Sequence, residues 1–122
     1  METKSEQIKL VAKYMGHEII EQNDSVSEYP LVKLSATTYL QPARYDSSWN
    51  WLMLVLNKIS NKDGYVLVMA QGYSYWTDNM GNNPLEIDFG GYENIQNIFE
   101  AVVKLLTSPT TKVSGILSTA LT

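Results

Sequence analysis

Ser47-Ser48-Trp49-Asn50-Trp51-Leu52-Met53-Leu54-Val55-Leu56, SSWNWLMLVL, holds two of the chain's three tryptophans with one residue between them. On a strand the two rings would share a face. On a helix, which turns about 100° per residue, they point to different sides. Asp46 or Ser47 can cap a helix start, so the segment reads as a helix over roughly 48–61. Trp49, Leu52, Met53, Leu56 and Ile59 form one stripe and are the expected core residues. On that reading, Trp49→Ala should cost about 3–5 kcal/mol, the usual range for emptying a buried aromatic site. Trp51, Leu54 and Val55 lie off the stripe, and every residue from Trp51 to Leu56 is apolar. A helix apolar nearly all round needs cover on more than one side, from its own core or from another subunit.

The segments around it carry their own signals. Ile8, Val11, Ala12 and Met15 recur at helical spacing, with Ser5 as a cap and Gly16 as the terminating glycine, predicting a helix over 5–15. Strands are expected at 17–22, 30–34 and 37–41, the last ended by Pro42, which cannot donate to a ladder. Lys62-Asp63-Gly64 marks a turn, and 65–71 reads as a strand with VLVMA at its centre. Leu85, Ile87 and Phe89 alternate with Glu86 and Asp88, the period-two mark of a half-buried strand. These two strands are expected to form a hairpin whose long tip is 72–84. Gly90-Gly91 ends it, and a third main helix follows over about 92–106, buried through Ile95, Ile98, Phe99 and Val102. Residues 107–122 are a Ser/Thr-rich tail with weak apolar positions at Val113, Ile116, Leu117 and Leu121. The expected fold is α+β: one domain over 1–106, with three main helices on a mostly antiparallel sheet.

Composition narrows the function classes. The chain has 122 residues, 44 % hydrophobic and 18 % charged, which fits one ordinary globular domain. A net charge of −4 with nine scattered Lys and Arg argues against general nucleic-acid binding. The chain has no cysteine, which removes disulfides, thiolate metal sites and thiol catalysis, and suits a cytoplasmic setting. Met1 to Lys9 is polar with both charge signs, unlike a secretory leader. The longest apolar run is far short of the ~18 residues of a membrane span.

The candidate site residues are few. Tyr73, Tyr75 and Trp76 lie in the expected 72–84 loop with Asp78, Asn79, Asn82 and Asn83. Aromatics with amides can stack a base or sugar ring and bond its edge; they can equally anchor a loop on a core or a neighbour. Arg44, the only arginine, can grip a carboxylate or phosphate bidentately or simply pair with Asp46. Trp51 is left for a partner or a ligand. Asp78, Asn82, Glu86 and Asp88 offer oxygen ligands, but their spacing is wrong for a calcium loop, so no metal is expected. His17, the only histidine, is a candidate base with Glu18 or Asp88; its place after a helix end is also explained by the helix dipole. The GGYENI stretch lacks the glycine spacing of a phosphate loop, and no cofactor is expected.

Three stretches together resemble a known family. Ile8…Val11-Ala12-Lys13-Tyr14-Met15-Gly16 is like its IAxFMG. Tyr45…Ser48-Trp49-Asn50-Trp51-Leu52-Met53-x-Val55 is like its YxxSWDWLMPV. Ile98-Phe99-Glu100-Ala101-Val102-Val103 is like its xxxEAVVEFI. Order and spacing over about 5–106 resemble the phage ABA-sandwich domain family, small uncharacterised proteins of bacteriophages and prophages. Asn50 stands where that family often has Asp, and Leu54 where it often has Pro. The resemblance implies an α/β/α-type sandwich and a phage or prophage setting in a bacterial host. It implies no activity and no catalytic residues. Two functions are therefore carried forward: a non-enzymatic interaction module that self-associates or meets a host protein, and a nucleotide-like small-molecule sequestering protein in counter-defence.

Overall fold

The computed structural model describes residues 4–20, 31–33, 40–78 and 80–108. Its order is α1 (Lys4–Met15), β1 (Glu18–Ile20), β2 (Leu31–Lys33), β3 (Leu40–Pro42), α2 (Trp49–Lys58), a π-helical turn (Ile59–Asp63), β4 (Val66–Ala70), β5 (Tyr73–Thr77) and α3 (Ile95–Thr107). The fold is α+β, with three helices and antiparallel strand pairing throughout. The expected tail features at Val113, Ile116, Leu117 and Leu121 lie outside the described residues, as do the outer parts of the first strands.

α1 ends as its sequence dictates. Gly16 takes φ +80°. Its amide donates to the Lys13 carbonyl, and the His17 amide donates to that of Ala12. These two bonds make a Schellman cap, which needs a residue tolerant of left-handed backbone at Gly16. Ile8, Val11, Ala12 and Tyr14 are buried along one side of the helix. β1, β2 and β3 follow as an antiparallel meander with β2 in the centre. β3 ends at Pro42 as expected, with Pro42 itself still paired with Leu31. On an edge strand a missing N–H costs nothing when it faces away from the ladder.

α2 exists where expected but is rotated. Leu52, Val55, Leu56 and Ile59 are buried, a set at i, i+3, i+4 and i+7. Trp49 and Met53, expected in the core, are 38 % and 40 % exposed. The physical reason is lack of contrast. With six consecutive apolar residues, several stripes fit the helix equally well, and packing on α1 and α3 chose the one centred between Val55 and Leu56. The π-helical turn then widens the helix end, and Gly64 closes it at φ +78°.

The hairpin differs from expectation. β4 pairs with β5, not with 85–89: Val66 opposes Thr77, Val68 opposes Tyr75 and Ala70 opposes Tyr73. The connection is Gln71-Gly72, with Gly72 at φ +90°, a glycine placed where a two-residue turn requires positive φ. Ser74 and Trp76 point inward and are fully buried, while Tyr73 is exposed. The alternation was hidden because its inward members include a serine and its outward members are tyrosines. Residues 85–89 instead run beside the far edge of β5, where the Phe89 amide donates to the Ser74 carbonyl at 2.9 Å. Glu86 sits at φ +54°, which breaks the extended geometry a ladder needs. Leu85 and Phe89 pack on the core, but Ile87 is exposed.

One hydrophobic cluster joins all three helices, β2 and the hairpin. Each fully buried Val, Leu, Ile or Phe in it contributes about 1.5–3 kcal/mol relative to exposure. The three helices point the same way. At one end Lys4 bonds Gln96 and lies 3.8 Å from the Asp46 carboxylate, and Gln96 Nε2 donates to the Asp46 carbonyl at 2.7 Å. At the other end Lys58 bonds the Tyr14 carbonyl and the Tyr14 hydroxyl donates to Asp63. Asp46 is buried and its Oδ1 has no hydrogen-bond partner among the described residues. Its negative charge stands where the positive helix N-termini gather, which offsets that cost.

Candidate functional site

The sequence-selected residues do not form one site. Trp51 packs at the far end of its own chain's aromatic knot. Its ring meets Tyr45 edge-on at 5.1 Å and His17 at 6.4 Å, and His17 stacks on Tyr45 at 6.1 Å. The cover that Trp51 lacked in sequence is thus supplied by the residue after α1 and the loop before α2. Tyr45 is fully buried, and its hydroxyl is bonded to His17 Nδ1. A buried phenol must place its proton, so the hydroxyl donates, and the neutral His17 tautomer carries its hydrogen on Nε2. Burial, with the Lys58 ammonium, holds His17 below its ordinary pKa. Burial raises the Tyr45 phenol. A phenol holds His17 Nδ1, and Asp88 is engaged elsewhere: it lies in the segment beside β5, where its Oδ1 takes the amides of Ser74 and Gly90.

Arg44 is exposed, and its carbonyl accepts the Ser47 and Ser48 amides that lead into α2. Trp76 is fully buried, with its indole N–H given to the Ala101 carbonyl at 2.8 Å. Such a ring is unavailable for stacking a ligand. Tyr73 and Tyr75 stack on each other at 6.3 Å and 11° on the outward hairpin face. Asp78 staples its loop: Oδ1 accepts from Met80 N at 2.8 Å and Asn82 N at 3.0 Å. The Asn82 amide first, then that of Met80, holds the carboxyl below the usual range. Of the oxygen ligands considered for calcium, the Oδ1 atoms of Asp78 and Asp88 are therefore engaged with backbone amides. Among the described residues no three His, Asp or Glu side chains come together, and no helix is long and apolar enough to cross a membrane.

What the structure does bring together is an open apolar flank. Trp49, Met69 and Tyr92 line a shallow depression of about 330 Å³ between α2, β4 and the approach to α3. Trp49 begins α2 and Met69 is near the end of β4, so the strand returns antiparallel alongside the helix. Met53, one helical turn after Trp49, lies along the same flank. Leu54 at 57 % exposure and Val66 at 47 % are further exposed apolar side chains on α2 and β4, Val66 on the opposite face of its strand from Met69. Met69 and Tyr92 were missed in sequence because neither stands out: one sits in a buried-looking strand, the other after a glycine pair.

A comparison with known protein families, with curated proteins and with solved structures gives no match.

Proposed function

We propose that this chain is a non-enzymatic protein-interaction module that self-associates through the α2–β4 flank. The supporting observation is the exposure of Trp49, Met53 and Leu54 on a helix whose other side is core. Scattered exposed apolar residues are ordinary, but Trp49, Met69 and Tyr92 gathered around one depression mark an interaction surface. The aromatic enrichment suits an interface centre. A phage or prophage setting in the bacterial cytoplasm, a sandwich arrangement of the layers and an accessory role belong to the same proposal, supported by the family resemblance. The nucleotide-sequestering alternative has less behind it, since Trp76 is committed to the core.

The test is the mass by light scattering over a hundredfold concentration range. The reading predicts a mass above that of one chain which falls on dilution, and a single-chain mass for Met53→Glu with unchanged circular dichroism. A single-chain mass for the unaltered protein at every concentration would contradict it.

A further inference from the structure

The open flank includes a strand edge, and its hydrogen-bonding pattern identifies its partner. Ser74 directs both backbone groups away from β4: its carbonyl accepts from Phe89, and its amide donates to Asp88. Ser74 opposes Met69, so this pair carries no ladder bonds. Antiparallel pairs alternate between bonded and non-bonded, so Leu67, opposite Trp76, is also non-bonded toward β5. The N–H and C=O of Leu67 and Met69 therefore point out of the other edge. Among the described residues, β4 pairs with β5 alone.

Natural edge strands are guarded by lysine, proline, bulges or inward charges. This one has none of them: from Tyr65 to Gln71, YVLVMAQ, there is no charge, proline or glycine. In a chain of net charge −4, an uncharged window is what lets two identical surfaces meet without like charges opposed.

We propose that β4 pairs antiparallel with β4 of a second copy about a two-fold axis at Val68, joining two hairpins into a four-stranded sheet. This rests on the self-association reading above and specifies its geometry. With Val68 opposite its own copy, Leu67 of each chain faces Met69 of the other. Both residues have outward N–H and C=O, so each such pair exchanges two bonds, and the edge is satisfied symmetrically. Moving the axis to Leu67 or Met69 leaves one of the two without its match. Pairing of a five-residue strand falls short of the roughly 800 Å² per partner of a stable interface. The α2 flank supplies more, because β4 pairing brings Trp49 and Met53 of both copies to the same side of the new sheet.

The chain's lack of cysteine makes the test direct. In a non-hydrogen-bonded antiparallel pair the Cα atoms are about 4.5 Å apart, within disulfide range. Val68→Cys should form a disulfide-linked dimer in air, while Lys13→Cys, exposed on α1, should not. Met69→Pro removes one outward N–H without touching the β4–β5 bonds, and should weaken the dimer at least tenfold. If Met69→Pro does not fold, the cross-link alone decides. A dimeric protein in which Val68→Cys stays unlinked overturns the strand pairing and leaves self-association standing. A protein that is monomeric throughout overturns both.

Discussion

The indole N–H of Trp76 donates to the carbonyl of Ala101 across 2.8 Å, tying the end of β5 to the middle of α3. The ring is fully buried, whereas Trp49 is 38 % exposed. The two tryptophans should therefore respond differently to truncation. Trp76→Ala should cost about 3–5 kcal/mol and Trp49→Ala about 1 kcal/mol, read from urea unfolding at concentrations low enough to keep the chain monomeric. Equal costs would place both rings in the core.

Acid should destabilise the protein through His17. Its folded pKa is held below 6.5 by burial and by Lys58, so the unfolded chain binds the proton more readily. Stability from this group is complete above about pH 6.5 and drains away as pH falls through the lower folded value. Protonation also takes the acceptor from the Tyr45 hydroxyl. His17→Gln should flatten the slope of unfolding free energy below pH 6.5; an unchanged slope would show that His17 does not cause it.

Base should act through two phenols. Burial raises Tyr45, and burial followed by the bond to Asp63 raises Tyr14. Both folded values exceed the ordinary one near 10, so their stabilisation is complete below about pH 10 and is lost as pH rises toward the folded values. Ultraviolet titration at 295 nm should show Tyr14 and Tyr45 ionising only with unfolding, the step at high pH shrinking in Tyr14→Phe and Tyr45→Phe.

The hairpin turn makes a further prediction. A Cβ added at Gly91 would lie 2.2 Å from the Gly72 backbone nitrogen, so the two chain segments meet where no side chain fits. Gly91→Ala should cost about 1–3 kcal/mol, as overpacking does. Gly16→Ala has open space around its Cβ and carries only the left-handed backbone penalty of about 1–2 kcal/mol. A Gly91→Ala protein as stable as the original would show that the turn can move aside.

The sequence was most informative where local chemistry decides. α1 was legible from four spaced apolar residues and a glycine whose left-handed conformation closes a Schellman cap. α3 was legible from Ile98, Phe99 and Val102, and β4 from VLVMA. α2 was legible as a helix but not in rotation, since six successive apolar residues give periodicity nothing to resolve. Trp49 and Trp51 consequently exchanged parts: the first faces out, and the second closes on Tyr45 and His17. β5 was hidden by an inward serine and outward tyrosines, which reverse the usual pattern. That same alternation divided the supposed aromatic platform, sending Trp76 into the core and Tyr73 and Tyr75 outward. The β4 edge, unpaired among the described residues, had only an indirect trace, an uncharged window, because which strand lies at an edge is decided by tertiary pairing.

Amide hydrogen exchange at Leu67 and Met69, followed from high to low protein concentration, tests the central claim most directly. These two N–H groups face out of β4 in one chain and are bonded in the paired dimer. The account predicts slow exchange at high concentration that accelerates at least tenfold on dilution, with Val66, Val68 and Ala70 protected more evenly by β5. Rapid exchange at Leu67 and Met69 at every concentration at which the protein is associated would contradict it.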